Sequence, residues 1–245
     1  MPSSLAIIGG RSIALEAAQM MQRLGCQVTI LQRSDRILPA EDTDLTEQLT
    51  GFLEYEGISI RTGVQQRQVA QDGCFQIDYT QQGENKHLAA EQLLVAAGRR
   101  PESAGLGLEK IGVEINDDSS IKTDEHCRTT VPHIYAAGDV AGNPAFVYTA
   151  AYEGKLAVDN AFGRNRAKAF SHLPYVIFTD PQVARVGLNE QMAEEQGLEV
   201  DVVKLNLENV PRALAVRDSR GFIKLLRVKE GNYLLGTSIL APEGG

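Results

Sequence analysis

Residues 5–16 read "LAIIGGRSIALE", and the reading of this stretch decides the fold. Leu5 to Ile8 is an apolar run too short for a helix and closed by two glycines, which predicts a short buried strand. Ile13, Ala17, Met20, Met21 and Leu24 then recur at helical spacing, and "QVTILQ" (27–32) predicts a second strand. The unit is βαβ. In a GxGxxG turn the first glycine makes the tight strand-to-helix bend, the second lets backbone amides reach a pyrophosphate, and the third allows close helix–strand packing. Here Gly9 fills the first place, Arg11 the second and Ala14 the third. The bend and the packing are kept and the side-chain-free approach is lost, so the motif alone fits a dinucleotide site or a tight turn in another α/β protein equally well.

Working outward, the end of the second strand is more informative. An NAD site usually offers an acidic residue to the ribose hydroxyls about 20 positions after the fingerprint, whereas this chain has Gln32 followed by Arg33 and Arg36. Guanidiniums suit a 2′-phosphate, because a planar fork grips phosphate oxygens two at a time. Leu45, Leu49, Phe52 and Leu53 predict a second amphipathic helix ended by Gly57, with "ISIR" (58–61) as the next strand. Val69 to Ala89, with turns at "QDG" and "QQGEN", reads as a small antiparallel meander, and "QLLVAAGRRPE" (92–102) as a buried strand broken at Gly98 and Pro101. In "TTVPHIYAAGDV" (129–140) the run from His133 to Ala136 predicts another short buried strand, ending where Gly138 admits a close ligand approach and Asp139 can bond its hydroxyls. Ala145 to Phe162 is helical in pattern. After the connector "GRNRAKAFSHLP" (163–174) the style turns to strands, "PYVIFT", "VDVVKLN", "FIKLLRV" and "YLLGTSIL", with one short helix at 190–196; a domain boundary falls near residue 168.

The formal net charge is −8 with no Lys/Arg-rich run, which argues against nucleic acid or an anionic membrane as partner. No apolar stretch approaches the roughly 20 residues that span a bilayer, and "MPSSLAIIGG" lacks the basic start of a secretion signal, so a cytoplasmic location is expected. Cys26, Cys74 and Cys127 form no CxxC or CxxxxC pair, and His87, His126, His133 and His172 fit no metal spacing. Neither a metal site nor a catalytic residue is expected within this chain. Tyr148 and Tyr152, at helical spacing, read as packing residues.

In chain order, "LAIIGGRSIALE", "VAAGRRP", "IYAAGDV" and "FTDPQVARVGLNE" resemble the pyridine nucleotide–disulfide oxidoreductases, flavoproteins with an FAD domain, an inserted NAD(P) domain and a dimerisation domain. Within that family the mercuric reductases look most similar, through "PAFVYTAAYEGK", "NVPRALAVRDSRGFIKL" and "LAPEGG". The resemblance implies an α/β fold: a Rossmann-like NAD(P)-binding domain over 1–115, the returning part of an FAD-binding domain over 116–168, and a partial α+β dimerisation domain over 169–245. It implies FAD and NADPH as cofactors, a small-molecule or metal-ion substrate, Hg(II) foremost, and a homodimer. By resemblance Gly9, Gly10, Arg11, Ser12, Ile13 and Glu16 would hold NADPH, Arg33 and Arg36 its 2′-phosphate; Gly98 and Arg99 would steady the cofactors; Gly138, Asp139 and Val147 would line the flavin. The family's redox CxxxxC pair and vicinal C-terminal cysteines are absent from these residues, so an interior fragment is expected. A dihydrolipoamide dehydrogenase-like reductase, or a non-catalytic NADP-binding module, are the alternatives.

Overall fold

The computed structural model describes residues 1–245 except Asn143, Ser171 and Asn232; Ser171 belongs to the connector named above. The chain opens with β1 (Ser4–Ile8), α1 (Ser12–Arg23) and β2 (Gln27–Leu31), with β1 and β2 parallel and Leu5 opposite Val28. Then come α2 (Thr43–Tyr55) and β3 (Ser59–Arg61), which extends the sheet beyond β2. A meander of β4 (Val64–Asp72), β5 (Cys74–Gln81) and β6 (Glu84–Ala90) precedes β7 (Gln92–Val95), which returns to the free side of β1. The four parallel strands therefore run in the order β3-β2-β1-β7. Strand order reverses at β1, and in open α/β sheets ligands bind beyond the strand ends at such a reversal.

Alternation along β1 divides the core. Leu5 and Ile7 pack with Ala14, Leu15, Ala18, Leu45, Leu49 and Leu53 from the two helices. Ala6, pointing to the other face, packs with Val64, Ile77 and Tyr79 of the meander.

The second compact unit, Gly98–Leu173, is mostly turns and loops around α3 (Val147–Ala161). The first unit resumes at Pro174: residues 1–97 and 174–245 form one body. Its C-terminal part has β8 (Tyr175–Ile177), β9 (Gln182–Gly187), α4 (Glu190–Glu195), β10 (Val200–Asn206), α5 (Pro211–Val216), β11 (Phe222–Val228) and β12 (Leu234–Ala241), with an antiparallel sheet in the order β10-β11-β12-β9-β8. Ile177, Val183, Phe222 and Leu240 join the core formed by α1, α2 and the parallel sheet.

Three expectations are corrected. The buried face of α1 is Ala14, Leu15, Ala18 and Gln19, whereas Met20 and Leu24 are each 56% exposed. Small alanines let the helix lie close on the sheet, and Gln19 is buried because its amide exchanges two hydrogen bonds with the Asp180 backbone and donates a third to Glu56. The segment at β7 is not a buried strand: as the sheet's last strand it has β1 on one side only, and Val95 is 66% exposed. Residues 133–136 form no ladder; Tyr135 makes an isolated bridge with Arg128, and the Ala136 amide bonds the Cys127 carbonyl.

Candidate functional site

A cleft of about 470 Å³ opens at the carboxyl ends of β1 and β2, lined by Gly9, Gly10, Arg11, Gln32, Arg33, Ser34 and Pro39 among others. Gly9 is required there on two counts. Its φ is +120°, and a Cβ would lie 2.3 Å from the Ala96 carbonyl oxygen, itself fixed because the Ala96 amide bonds Ile8 O at 2.8 Å. Gly10 lies against the buried side chain of Gln32, where a Cβ would come within 3.1 Å. Arg11 stands at the N-cap of α1 with extended backbone and gives no side-chain cap, so the first-turn amides of α1 keep their free donors and their partial positive charge. Ser12 and Ile13 begin the helix, Ile13 with 47% of its surface exposed.

The two guanidiniums read as a pair are separated. Among the described residues the Arg33 side chain has no hydrogen-bonding or ionic partner, and it lines the cleft. Arg36 is spent elsewhere: its Nη atoms donate to Thr43 Oγ1, the Pro39 and Glu41 carbonyls and Gln191 Oε1. No carboxylate lines the cleft among the described residues, so a polyanion entering it meets Arg11, Arg33 and the helix terminus without opposition. Glu16, one turn further along α1, uses its carboxylate to accept the Phe178 amide at 2.9 Å.

The remaining expected site residues lie in the second unit. Gly98, φ +143°, leads into Arg99, whose Nη1 bonds Asp139 Oδ2 at 3.0 Å and the Ala145 carbonyl at 3.3 Å. Asp139 belongs to a 3-10 turn, Gly138–Ala141, and is about half exposed. Gly138 is buried at φ +77°, with Ala150 of α3 where a Cβ would go. Its amide donates to Glu153 Oε2 at 2.7 Å, and Glu153 is fully buried with Lys168 Nζ at 3.7 Å. Val147, 87% exposed, opens α3, whose N-cap Phe146 offers no side-chain cap. Tyr148 stacks on Phe146 at 5.1 Å, and the Tyr152 hydroxyl accepts the Ala169 amide. An uncapped helix start, an exposed apolar residue and a reachable carboxylate together fit a flat aromatic ring system carrying a hydroxylated chain.

Glu153 is absent from the expected set, and one signal for it exists: it is the acid on the buried face of α3, beside Thr149, Leu156, Ala157 and Asn160. Three carboxylates, Asp42, Asp44 and Glu190, converge within 4.8 Å, as metal ligands would. The Lys224 ammonium occupies their centre, 3.1 Å from Asp42 and 2.6 Å from Asp44. Cys26 and Cys127 are buried, which pushes both thiols up from their ordinary pKa, and all three cysteines are free. No helix among the described residues is long and apolar enough to cross a membrane.

Residues 1–154 match the family model described as pyridine nucleotide-disulphide oxidoreductase, and residues 173–245 match the dimerisation domain of the same family. The mercuric reductase of Bacillus cereus is 40% identical over 246 residues, which cover 100% of this chain and 39% of that protein. The mercuric reductase of Acidithiobacillus ferrooxidans is 45% identical over 245 residues, covering 100% of this chain and 44% of its own length. The chain thus spans 39–44% of the length of these curated relatives. Among solved structures, the Cu(II) complex of the HOCl-induced flavoprotein disulfide reductase RclA from Escherichia coli superposes with a TM-score of 0.89 at 31% identity, over 99% of this chain and 55% of that one. LpdA from Mycobacterium tuberculosis, at 24% identity and a TM-score of 0.89 over 98% of this chain and 52% of its own, shares the fold.

Proposed function

Because the chain belongs to the pyridine nucleotide-disulphide oxidoreductases, we propose that it binds NADPH in the cleft at Gly9 and Gly10, contacts FAD through Gly138, Asp139 and Val147, and serves the NADPH-dependent reduction of Hg(II). The observation that carries the first part is the cleft itself, lined by Arg11 and Arg33, with an open helix terminus and, among the described residues, no carboxylate in its lining. The α1 amides and Arg11 would bind the diphosphate and Arg33 the 2′-phosphate, while Gln32 leaves the ribose without the acidic partner that favours NADH. Arg36 is assigned to holding its own loop.

In the second unit, Asp139 would accept hydrogen bonds from the ribityl hydroxyls, and Arg99 would fix that carboxylate by the 3.0 Å bond it already makes. Val147 and the uncapped amides of α3 would face the ring system, excluding water on one side. FAD, when bound, accepts hydride from the reduced nicotinamide and passes electrons on. Residues 1–115 are read as nucleotide-binding, 116–168 as flavin-facing and 169–245 as dimerising, in a cytoplasmic homodimer. The Hg(II) substrate rests on the mercuric reductases among the relatives.

The test of the nucleotide assignment is a titration of the chain with NADPH and NADH. NADPH should bind more tightly, and Arg33→Glu should weaken it by about tenfold to a hundredfold, the worth of a charge-assisted contact of roughly 1.5–3 kcal/mol. Equal affinity for the two cofactors would sink the assignment. The substrate is tested by exchanging this segment for its counterpart in the Bacillus cereus mercuric reductase: NADPH oxidation dependent on added Hg(II) is the expected outcome.

A further inference from the structure

On its outer side, the segment that walls the cleft is tied to the C-terminal sheet by a buried acid. Glu41 is 3% exposed, its Oε1 accepting the Tyr175 hydroxyl and its Oε2 the Arg185 Nε at 3.2 Å. Arg185 also lies over the Tyr175 ring, 4.9 Å from the centroid, and is steadied by the Gly187 carbonyl at 2.7 Å and Met192 Sδ at 3.2 Å. From this clasp a short path leads to the fingerprint. The Glu41 amide bonds the Leu38 carbonyl at 2.9 Å, and the Leu38 amide bonds the Gly10 carbonyl at 2.9 Å. Leu38 sits at φ +42°, a left-handed position that costs a non-glycine residue free energy and persists only where its surroundings hold it. Pro39, next in the chain, lines the cleft.

We propose that Glu41 is a positioning residue for the dinucleotide cleft: clasped by Tyr175 and Arg185, it holds the Leu38–Glu41 turn against Gly10 and so sets the cleft's affinity for its ligand. This rests on the reading that the cleft takes NADPH. The charged and titratable groups around Glu41 are Arg185 of β9, Tyr175 of β8, Asp42 beside it, itself held by Lys224, and Arg36, whose Nη2 meets the Glu41 carbonyl. Burial pushes the Glu41 carboxyl up to about 7, against the opposing pull of Arg185, so it changes charge in the neutral range. When protonated it sits in the clasp without a desolvated charge; when ionised its bonds to Tyr175 and Arg185 do not fully offset the loss of water, and release of the turn relieves that cost. The cleft wall is therefore held more firmly below pH 7 than above it.

The experiment uses the intact chain, wild type and Glu41→Gln, a near-isosteric change that keeps one acceptor and removes the charge. NADPH affinity is measured from pH 6 to 8.5 and expressed as the ratio of the two proteins' constants, so that the 2′-phosphate's own ionisation near pH 6 cancels. The ratio should be close to one at pH 6 and shift about fivefold in favour of Glu41→Gln at pH 8.5, where the ionised wild-type carboxylate loosens the turn. Hydrogen exchange of the Leu38 amide at pH 8.5, without ligand, should be slower in Glu41→Gln than in wild type. A ratio that stays flat with unchanged Leu38 protection overturns the inference even if NADPH binds well. A wild-type chain that fails to bind NADPH while Leu38 protection still depends on Glu41 overturns the nucleotide reading and leaves the clasp as the holder of the turn.

Discussion

Lys224→Met should unfold the first unit far more easily than a single change in an exposed strand would. Lys224 is a charged side chain with 2% of its surface exposed, and its ammonium bonds Asp42, Asp44 and Glu190. It also faces Lys204 directly across the β10–β11 pair, a like-charge juxtaposition made tolerable by Asp44, whose two oxygens take one lysine each at 2.6 Å. Removing the ammonium leaves Asp42, 6% exposed, as an uncompensated buried charge. Breaking a buried pair in this way costs about 3–5 kcal/mol. Asp44 and Glu190 are 38% and 45% exposed and regain water, which brings the expectation to the lower end, about 3 kcal/mol. For a chain of this size that is a fall of roughly 6–12 °C in the unfolding midpoint, read by circular dichroism. Asp42→Asn added to Lys224→Met should restore part of the loss, because the stranded charge is then gone. A single variant within about 0.5 kcal/mol of wild type, or a double variant no better than the single, would refute the reasoning. Burial pulls the Lys224 ammonium down, yet bonds from Asp44, Glu190 and Asp42 carry it above its ordinary value of 10.5. Its contribution is therefore complete below pH 10.5 and declines only above it.

Gly9→Ala should abolish tight NADPH binding and lower the unfolding midpoint, since both φ +120° and the Ala96 carbonyl oppose a Cβ; Gly10→Ala, which has no such backbone strain and meets the Gln32 side chain at 3.1 Å rather than a carbonyl at 2.3 Å, should lower it less. Thermal unfolding of the two variants side by side decides this. Glu153→Gln should preserve the acceptor for the Gly138 amide, whereas Glu153→Ala orphans that donor at a cost of about 1–3 kcal/mol, seen as faster hydrogen exchange at Gly138. Glu41 has the opposite sign to an ordinary paired acid: its folded pKa is raised from 4.5 to about 7, so its contribution to stability is full below pH 4.5 and lost as pH rises toward 7. At about 1.36 kcal/mol per unit the loss is about 3 kcal/mol. Urea midpoints at pH 5 and pH 8 should show it in wild type and not in Glu41→Gln.

The βαβ start, the helix at 43–55 and the meander were legible because each carries its own period and is closed by glycine. What escaped depends on partners distant in the chain. The face of α1 is misread because Gln19 looks like a surface residue until Asp180, 161 positions on, takes both ends of its amide. Arg36 counts as a phosphate ligand in the sequence, yet Gln191 and Thr43 claim its donors in the fold. The Glu41 clasp joins residues 134 and 144 positions apart, and nothing local marks Glu41 as buried. Strand β9 carries little signal of its own, its six residues mostly half-buried and weakly alternating. Gly9, Gly10 and Arg33 needed no distant partner: local spacing brings them to one cleft.

The first unit is discontinuous, Met1–Ala97 with Pro174–Gly245, and the second is the uninterrupted stretch between them. During synthesis, at about 5–20 residues per second, the second unit has its whole sequence available while the first still lacks the strands that bury Ile177, Val183, Phe222 and Leu240 against its helices. The βαβ segment at residues 4–31 and the Asp42 turn after it must therefore wait, α1 without Asp180 and Asp42 without Lys224, until the segment that begins at Pro174 has emerged. Any chain stopped before Lys224 carries an acidic notch with no cation to fill it, and such products are the ones a cell's proteases should meet first.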